Sequence, residues 1–244
     1  MQNRRGYPKR GLHGEVVHRI ALRILRGEVA PGATFPNADD LSTELQVSRT
    51  SVREAIKVLA AKGLLESRPK TGTRVRPRSY WSWLDPDVLA WQYEAEPDEH
   101  FLRNVTEVRQ VIEPAAASLA AARATDTEIT GLEAAYKQMQ LTVRDFEDFL
   151  AADLHFHTAI LAACHNELLD QMSSAIGTGL TASGTVTNQV TGAAAASLPL
   201  HHAVYQAIAQ HDVEAARTAM RDLVDQAAVD IDQAIRADAG TKTA

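Results

Sequence analysis

Residues 41–65 read LSTELQVSRTSVREAIKVLAAKGLL, two short helical patterns on either side of a polar turn that carries Val47 and Ser48. Leu41 and Leu45 share one face of the first pattern. Val52, Ile56 and Leu59 recur at i, i+4 and i+7 in the second, an apolar stripe that must dock on a small core. Ser48 stands where an N-cap belongs, and Gly63 follows the last turn as a C′ residue does. The pattern is a helix-turn-helix. The outward side of its second helix carries Arg49, Arg53 and Lys57 at intervals of four, with Thr50 and Ser51 at the N-terminal end. Such a face suits a major groove, where cations meet phosphates or guanine edges and helix N-terminal amides face phosphate oxygens. A solvated basic face on any small helical domain would look the same, so the flanking sequence has to decide.

Upstream, Val16, Val17, Ile20, Ile24 and Leu25 form a helical stripe that ends near Gly27, and the turn-rich VAPGATFPN segment leads to Asn37, a second N-cap candidate. Downstream, LLESR and TRVRP read as two short strands joined by PKTG, with Arg68, Lys70, Arg74 and Arg76 clustered on the hairpin. Three helices followed by a basic hairpin make a winged helix. Charge agrees with this reading: residues 1–78 hold 16 Lys and Arg against 7 Asp and Glu, whereas the rest of the chain holds 9 against 24. A basic N-terminal third on an acidic body points to a polyanionic partner for that third alone.

The 244 residues suit two domains. We expect a basic arm over 1–10, a winged-helix DNA-binding domain over 11–77, a linker over 78–97 and an all-helical domain over 98–238. Residues 77–97 contain Trp81, Trp83 and Trp91 and lack a sustained helical period, so they read as a linker pinned by large aromatics. Beyond residue 98 the pattern is helical throughout: Leu102, Val105, Val108 and Ile112 make a stripe that Pro114 interrupts, and further helical patterns run to about residue 236. The stretch GTGLTASGTVTNQVTG within 177–197 is poorly helical by propensity. The fold class expected is mainly α: a winged helix-turn-helix followed by an all-α bundle enclosing a cavity. The single cysteine, Cys164, excludes an internal disulfide and reads as a small core residue. With no run of 18 apolar residues and no apolar leader, the chain is expected to be cytoplasmic, without membrane insertion.

Within the bundle, Asp153 and His157 lie four apart on one helix and share a face. His201 and His202 sit together on a later helix, where at least one can point inward. One carboxylate and two imidazoles suit a divalent metal, zinc first among the candidates. A surface or core hydrogen bond is the plainer reading of such a pair. Arg109, on the stripe side of its helix near Glu113, can anchor a carboxylate through parallel hydrogen bonds or can pair with a bundle acid.

These residues carry a family resemblance. PGATFPNADDLSTEL, VSRTSVREAIKVLAAKGLL and SRPKTGTRV resemble the GntR family of bacterial transcription regulators. The resemblance implies that Ser48, Arg49, Thr50, Ser51 and Arg53 lie at operator DNA, and that the wing residues Arg68, Lys70, Thr71 and Gly72 reach an adjacent groove. Asp40 stands where several relatives carry a DNA-contacting arginine, so the operator sequence does not carry over. EVRQVIEPAAASLAAARAT, DLHFHTAILAACHNELL and LHHAVYQAIAQHDVEAARTAM resemble the FCD effector domain of the FadR-type branch. That resemblance implies a metal held by Asp153, His157 and His202, with an organic acid beside it met by Arg109. Leu223 stands where many members add a further histidine, which leaves three protein ligands. The linker and the EVRQVIEPA helix further resemble regulators of galactonate and related sugar-acid operons. The expectation is therefore a homodimeric repressor, not an enzyme, that binds a short palindrome of double-stranded DNA and is relieved by a small carboxylate such as an aldonate. Dimerisation follows from recognition helices that must meet grooves about 34 Å apart. Two other readings stand beside it: a metal-responsive regulator without an organic effector, and a non-haem metal enzyme built on the Asp/His/His set.

Overall fold

The computed structural model describes residues 12–68, 72–95, 99–187 and 192–242. The chain divides into two compact units, Met1–Pro97 and Asp98–Ala244.

The first unit is built on α1 (Leu12–Leu25), α2 (Ala38–Leu45) and α3 (Arg49–Ala61), followed by a two-stranded antiparallel sheet, β1 (Leu65–Arg68) and β2 (Gly72–Val75). Both expected N-caps form. Asn37 accepts from the amides of Asp39 and Asp40, and Ser48 accepts from that of Ser51. Each cap satisfies helix amides that have no intrahelical partner. Strand register runs from Leu65 opposite Val75 to Arg68 opposite Gly72, and Thr34 bridges Arg74 on the outer edge. Val16, Val17, Ile20 and Ile24 of α1 close over Leu41, Val52 and Leu59 in one apolar core.

The segment expected to be a linker is structured. After a short 3-10 turn at Arg78–Tyr80, α4 (Pro86–Glu94) begins from Asp85, whose side chain caps it. Trp81, Val88, Trp91 and Ala95 are buried in the core of the first unit. Few residues separate the helix starts, which hides the period from sequence; burial of the tryptophans supplies the stability instead. Lys62, at the end of α3, donates to Asp85 at 2.7 and 2.8 Å and to Asp87 at 2.7 Å. The end of α3 is thereby tied to the start of α4.

The second unit is entirely helical among the described residues: α5 (Glu99–Arg123), α6 (Asp126–Thr142), α7 (Phe146–Ala163), α8 (Glu167–Gln171), α9 (Ser173–Thr187), α10 (Ala193–Ala209) and α11 (Val213–Lys242). Pro114 does not end its helix. α5 runs through it, with Pro114 buried. Proline removes one backbone donor inside a helix, and here the packed small residues Ala116, Ala117, Ala120 and Ala121 outweigh that loss by joining the core with Met220, Leu223 and Val224 of α11. α6 starts with a full capping box between Thr125 and Glu128.

The stretch from 177, poorly helical by propensity, continues as helix to the end of α9. Its glycines permit close contact: a Cβ at Gly177 would lie 3.0 Å from Leu154 Cδ1, at Gly179 3.2 Å from Arg109 Cδ, and at Gly184 2.8 Å from Leu150 Cδ1. Packing against α5 and α7 overrides the intrinsic cost of about 1 kcal/mol per glycine. No described helix is long and apolar enough to cross a membrane.

Gly63 has φ +80°, and a Cβ there would lie 2.2 Å from the Tyr80 carbonyl oxygen. Gly63→Ala is expected to destabilise the first unit by about 2 kcal/mol or more, the left-handed penalty with a backbone clash added. Gly27→Ala, at φ +75° with open space around it, should lose only the conformational part. Urea unfolding of both full-length variants checks the difference.

Candidate functional site

Two faces collect the residues singled out above. On the first unit, α3 projects Arg49, Thr50, Arg53 and Lys57 outward while Val52, Ala55, Ile56 and Leu59 are buried. Ser51 is half-buried, and its hydroxyl lies 2.8 Å from that of Ser48. Arg49 pairs with Asp39 at 2.9 Å and Lys57 with Glu54 at 2.7 Å, all at exposed positions. Exposed pairs of this kind contribute little and exchange readily for a phosphate. Arg53 forms no ion pair among the described residues. It lines a groove together with Thr50 and Lys57 on one side and Thr34, Gly72 and Thr73 on the other. On the hairpin, Arg68 pairs with Glu66 at 3.2 Å and Gly72 has φ +81°. Lys70 and Thr71 lie outside the described residues. Asp40 accepts from Asn37 Nδ2 at 2.7 Å, so this acid helps shape the start of α2.

In the second unit, a cavity of about 260 Å³ is lined by Arg109 of α5, Asp153 and His157 of α7, Ser183 of α9 and His201 of α10. One ligand atom from each of Asp153, His157 and His201 lies within 4.8 Å of the others. This corrects the expected set, because His201 and not His202 joins Asp153 and His157. His202 stacks on Tyr136, with centroids 5.1 Å apart, and lies 6.2 Å from the Tyr205 ring. Helix phase carried the signal: His201, Val204 and Ile208 fall on one buried stripe, while His202 falls one step off it. His155 is exposed.

Arg109 and Glu113 form a buried pair, Nε to Oε1 at 2.6 Å, and both side chains are almost wholly enclosed. The other oxygen of Glu113 lies 2.5 Å from His157 Nδ1. One carboxylate therefore serves the arginine and the histidine together. Burial would raise the Glu113 pKa, but the charges of Arg109 and His157 bring it down to about 2. His157 is pushed up to about 9: burial opposes its charge, and Glu113 followed by Asp153 overcomes that. Asp153 is held well below the usual carboxylate range, burial being outweighed by His157 and then His201.

The donor set fits a divalent cation. His201 Nδ1 lies 2.9 Å from the Ser197 carbonyl, which can only accept, so this nitrogen donates. The lone pair of neutral His201 is then on Nε2, a buried atom 2.8 Å from Asp153 Oδ1 with no hydrogen-bond partner. Two lone pairs at that distance repel unless a proton or a cation lies between them. His157 shows the matching arrangement, Nδ1 toward Glu113 and Nε2 3.6 Å from Asp153 Oδ1. A carboxylate behind a ligating imidazole is the usual second layer of a metal site. Leu223 lines the same cavity and is buried there, offering no ligand.

A winged helix with a cationic reading face, followed in the same chain by an all-helical unit, marks the class as a DNA-binding transcription regulator. The chain belongs to the GntR family. Residues 12–75 match bacterial regulatory proteins of the gntR family and residues 104–226 match the FCD domain. Among similar proteins, the galactonate operon transcriptional repressor of Escherichia coli (strain K12) is 37% identical over 161 residues, 66% of this chain and 70% of that one. The uncharacterized HTH-type transcriptional regulator YieP of the same organism is 33% identical over 211 residues, 86% and 90% of the two chains. Lar, which controls the expression of the Listeria monocytogenes agr system, superposes with a TM-score of 0.65 at 17% identity over 92% of this chain and 98% of its own, a likeness of fold.

The titration of this cluster has a defined sign. Without metal, the raised pKa of His157 adds stability that is complete below its ordinary value of 6.5 and is lost as pH rises through about 9. Glu113 adds stability present above its ordinary 4.5 that is lost as pH falls toward about 2. A metal must displace the proton on His157, so zinc affinity should climb with pH up to about 9. Competition against a metallochromic dye at pH 6, 7.5 and 9 measures it; a flat profile would remove His157 from the ligand set.

Proposed function

We propose that this protein is a cytoplasmic, homodimeric repressor that releases its operator when a small organic acid enters the cavity of the second unit beside a divalent cation held by Asp153, His157 and His201. One observation carries the reading: the buried Arg109 and the three metal-type donors line the same cavity. When bound, the cation supplies a Lewis acid to which anionic oxygens can attach. The protein's own part is to place Arg109 for the carboxylate and to exclude bulk water with Leu180, Leu200 and Leu223. On α11, Gln226 donates to Asp230 at 2.8 Å, and both face the cavity. Such a donor and acceptor pair one turn apart suits hydroxyl groups. A polyhydroxylated acid of the aldonate type is the effector class we infer, in keeping with the similarity to the galactonate operon repressor.

At the DNA, the outward face of α3 enters the major groove with Arg49, Thr50, Ser51 and Arg53, and the N-terminal amides beside Ser48 face the backbone. The hairpin residues Arg68, Lys70, Thr71 and Gly72 approach the neighbouring groove. A monomer would read one half-site only, whereas two copies reading a palindrome multiply specificity. The acid acts by favouring the dimer state that mismatches the operator, a coupling of about 1 to 3 kcal/mol. The pair formed by Arg109 and Glu113 supports a second reading, in which the arginine is structural and the metal alone is sensed.

Replacing Arg49 or Arg53 by alanine should weaken operator binding roughly 5- to 150-fold, measured by fluorescence anisotropy at fixed salt. Retained affinity in both variants would sink the assignment of α3 as the reading helix. For the sensor, a thermal-shift screen of aldonates with and without zinc should show an acid-dependent rise in Tm, and Arg109→Ala should lose that response while it still binds DNA. A shift with zinc and with no acid selects the metal-only reading.

A further inference from the structure

We infer that Ser183 is the second half of the acid anchor, its hydroxyl completing with Arg109 a recess for one carboxylate; this rests on the reading of the cavity as an acid site. Ser183 sits on α9, is 5% exposed and lines the cavity. Its neighbours on that helix use their hydroxyls internally: Thr178, Thr181 and Thr185 donate to the carbonyls of Ser174, Gly177 and Thr181 at 3.0, 2.9 and 2.9 Å. Ser183 makes no such bond among the described residues. Its single partner there is Arg109 Nη1, at 3.5 Å. That distance is at the outer limit of a hydrogen bond. Arginine has no acceptor to offer in return, so the hydroxyl hydrogen is left without one. An unsatisfied donor in a buried site is costly.

Arg109 is incomplete in the same place. Nε is committed to Glu113 at 2.6 Å, and Nη1 reaches Ser183 only loosely. A guanidinium donor and a hydroxyl donor therefore stand side by side at the cavity wall. A carboxylate supplies two acceptor oxygens and the balancing charge, whereas a neutral alcohol or amide supplies neither the second strong acceptor nor the charge. Placement of Ser183 depends on the glycines of α9. With Gly179 against Arg109 Cδ and Gly184 against Leu150, α9 approaches α5 closely enough for a side chain as short as serine to stand beside the guanidinium.

The test uses the full-length, zinc-loaded protein and calorimetric titration with glycolate, L-lactate, L-malate, D-gluconate and D-galactonate, with galactitol as the uncharged control. For the acid that binds most tightly, Ser183→Ala should weaken binding about 10- to 100-fold, the size of a hydrogen bond to a charged group. Zinc affinity, read by dye competition, and operator affinity without acid should stay within about twofold of wild type. Unchanged acid affinity in Ser183→Ala, alongside loss in Arg109→Ala, overturns the role of Ser183 and leaves the acid site standing. Equal losses of acid and zinc binding show a structural part only and overturn it as well. Binding of galactitol as tight as that of D-galactonate overturns the carboxylate recess. If none of the acids binds the wild type, the effector reading falls and this inference falls with it.

Discussion

Glu113 is the group on which the second unit's interior depends. Its carboxylate is buried between Arg109 and His157 and is shared by both. Removing any of the three would strand a charge in a space that cannot solvate it, a loss usually far larger than the net worth of the pair. The same sharing gives the interior its use. Arg109 is held by Nε, with Nη1 toward Ser183, and His157 has Nδ1 beside Glu113 and Nε2 3.6 Å from Asp153. Two side chains of the cavity wall are thus fixed by one carboxylate.

The close approach of α9 closes the same interior from another side. Leucine or valine at Gly177, Gly179 or Gly184 would push the helix off α5 and α7. The unit accepts a segment of poor helix formers because the packing it gains is tight. Leu223 adds an apolar group to the same cavity wall and offers no donor there.

The first unit follows a different logic, in which rigidity serves recognition. α3 presents a cationic face whose partners are exposed and exchangeable, while its far end is locked. Gly63 lies against the Tyr80 carbonyl, Lys62 reaches Asp85 and Asp87, and Trp81 Nε1 donates to the Arg76 carbonyl at 2.9 Å. The helix is buried at its base and carries only exposed, weakly held pairs along its outer face.

Sequence alone determined the elements whose signals are local. Ser48 and Asn37 as caps, the stripe Val52, Ile56 and Leu59, the cationic face of α3 and the pairing of Asp153 with His157 all depend on residues a few positions apart, where helical period and capping chemistry are decisive. Tertiary structure decided everything that rests on separation in sequence. It chose His201 over His202, because only the buried stripe of α10 turns toward α7. It continued helix through 177–187 and carried α5 through Pro114, because burial outweighed propensity in both. It absorbed residues 78–95 into the first unit through their tryptophans. It brought Ser183 beside Arg109, 74 positions away, and set Glu113 between two partners, since a shared buried charge is a property of three side chains in space and leaves no period in the chain.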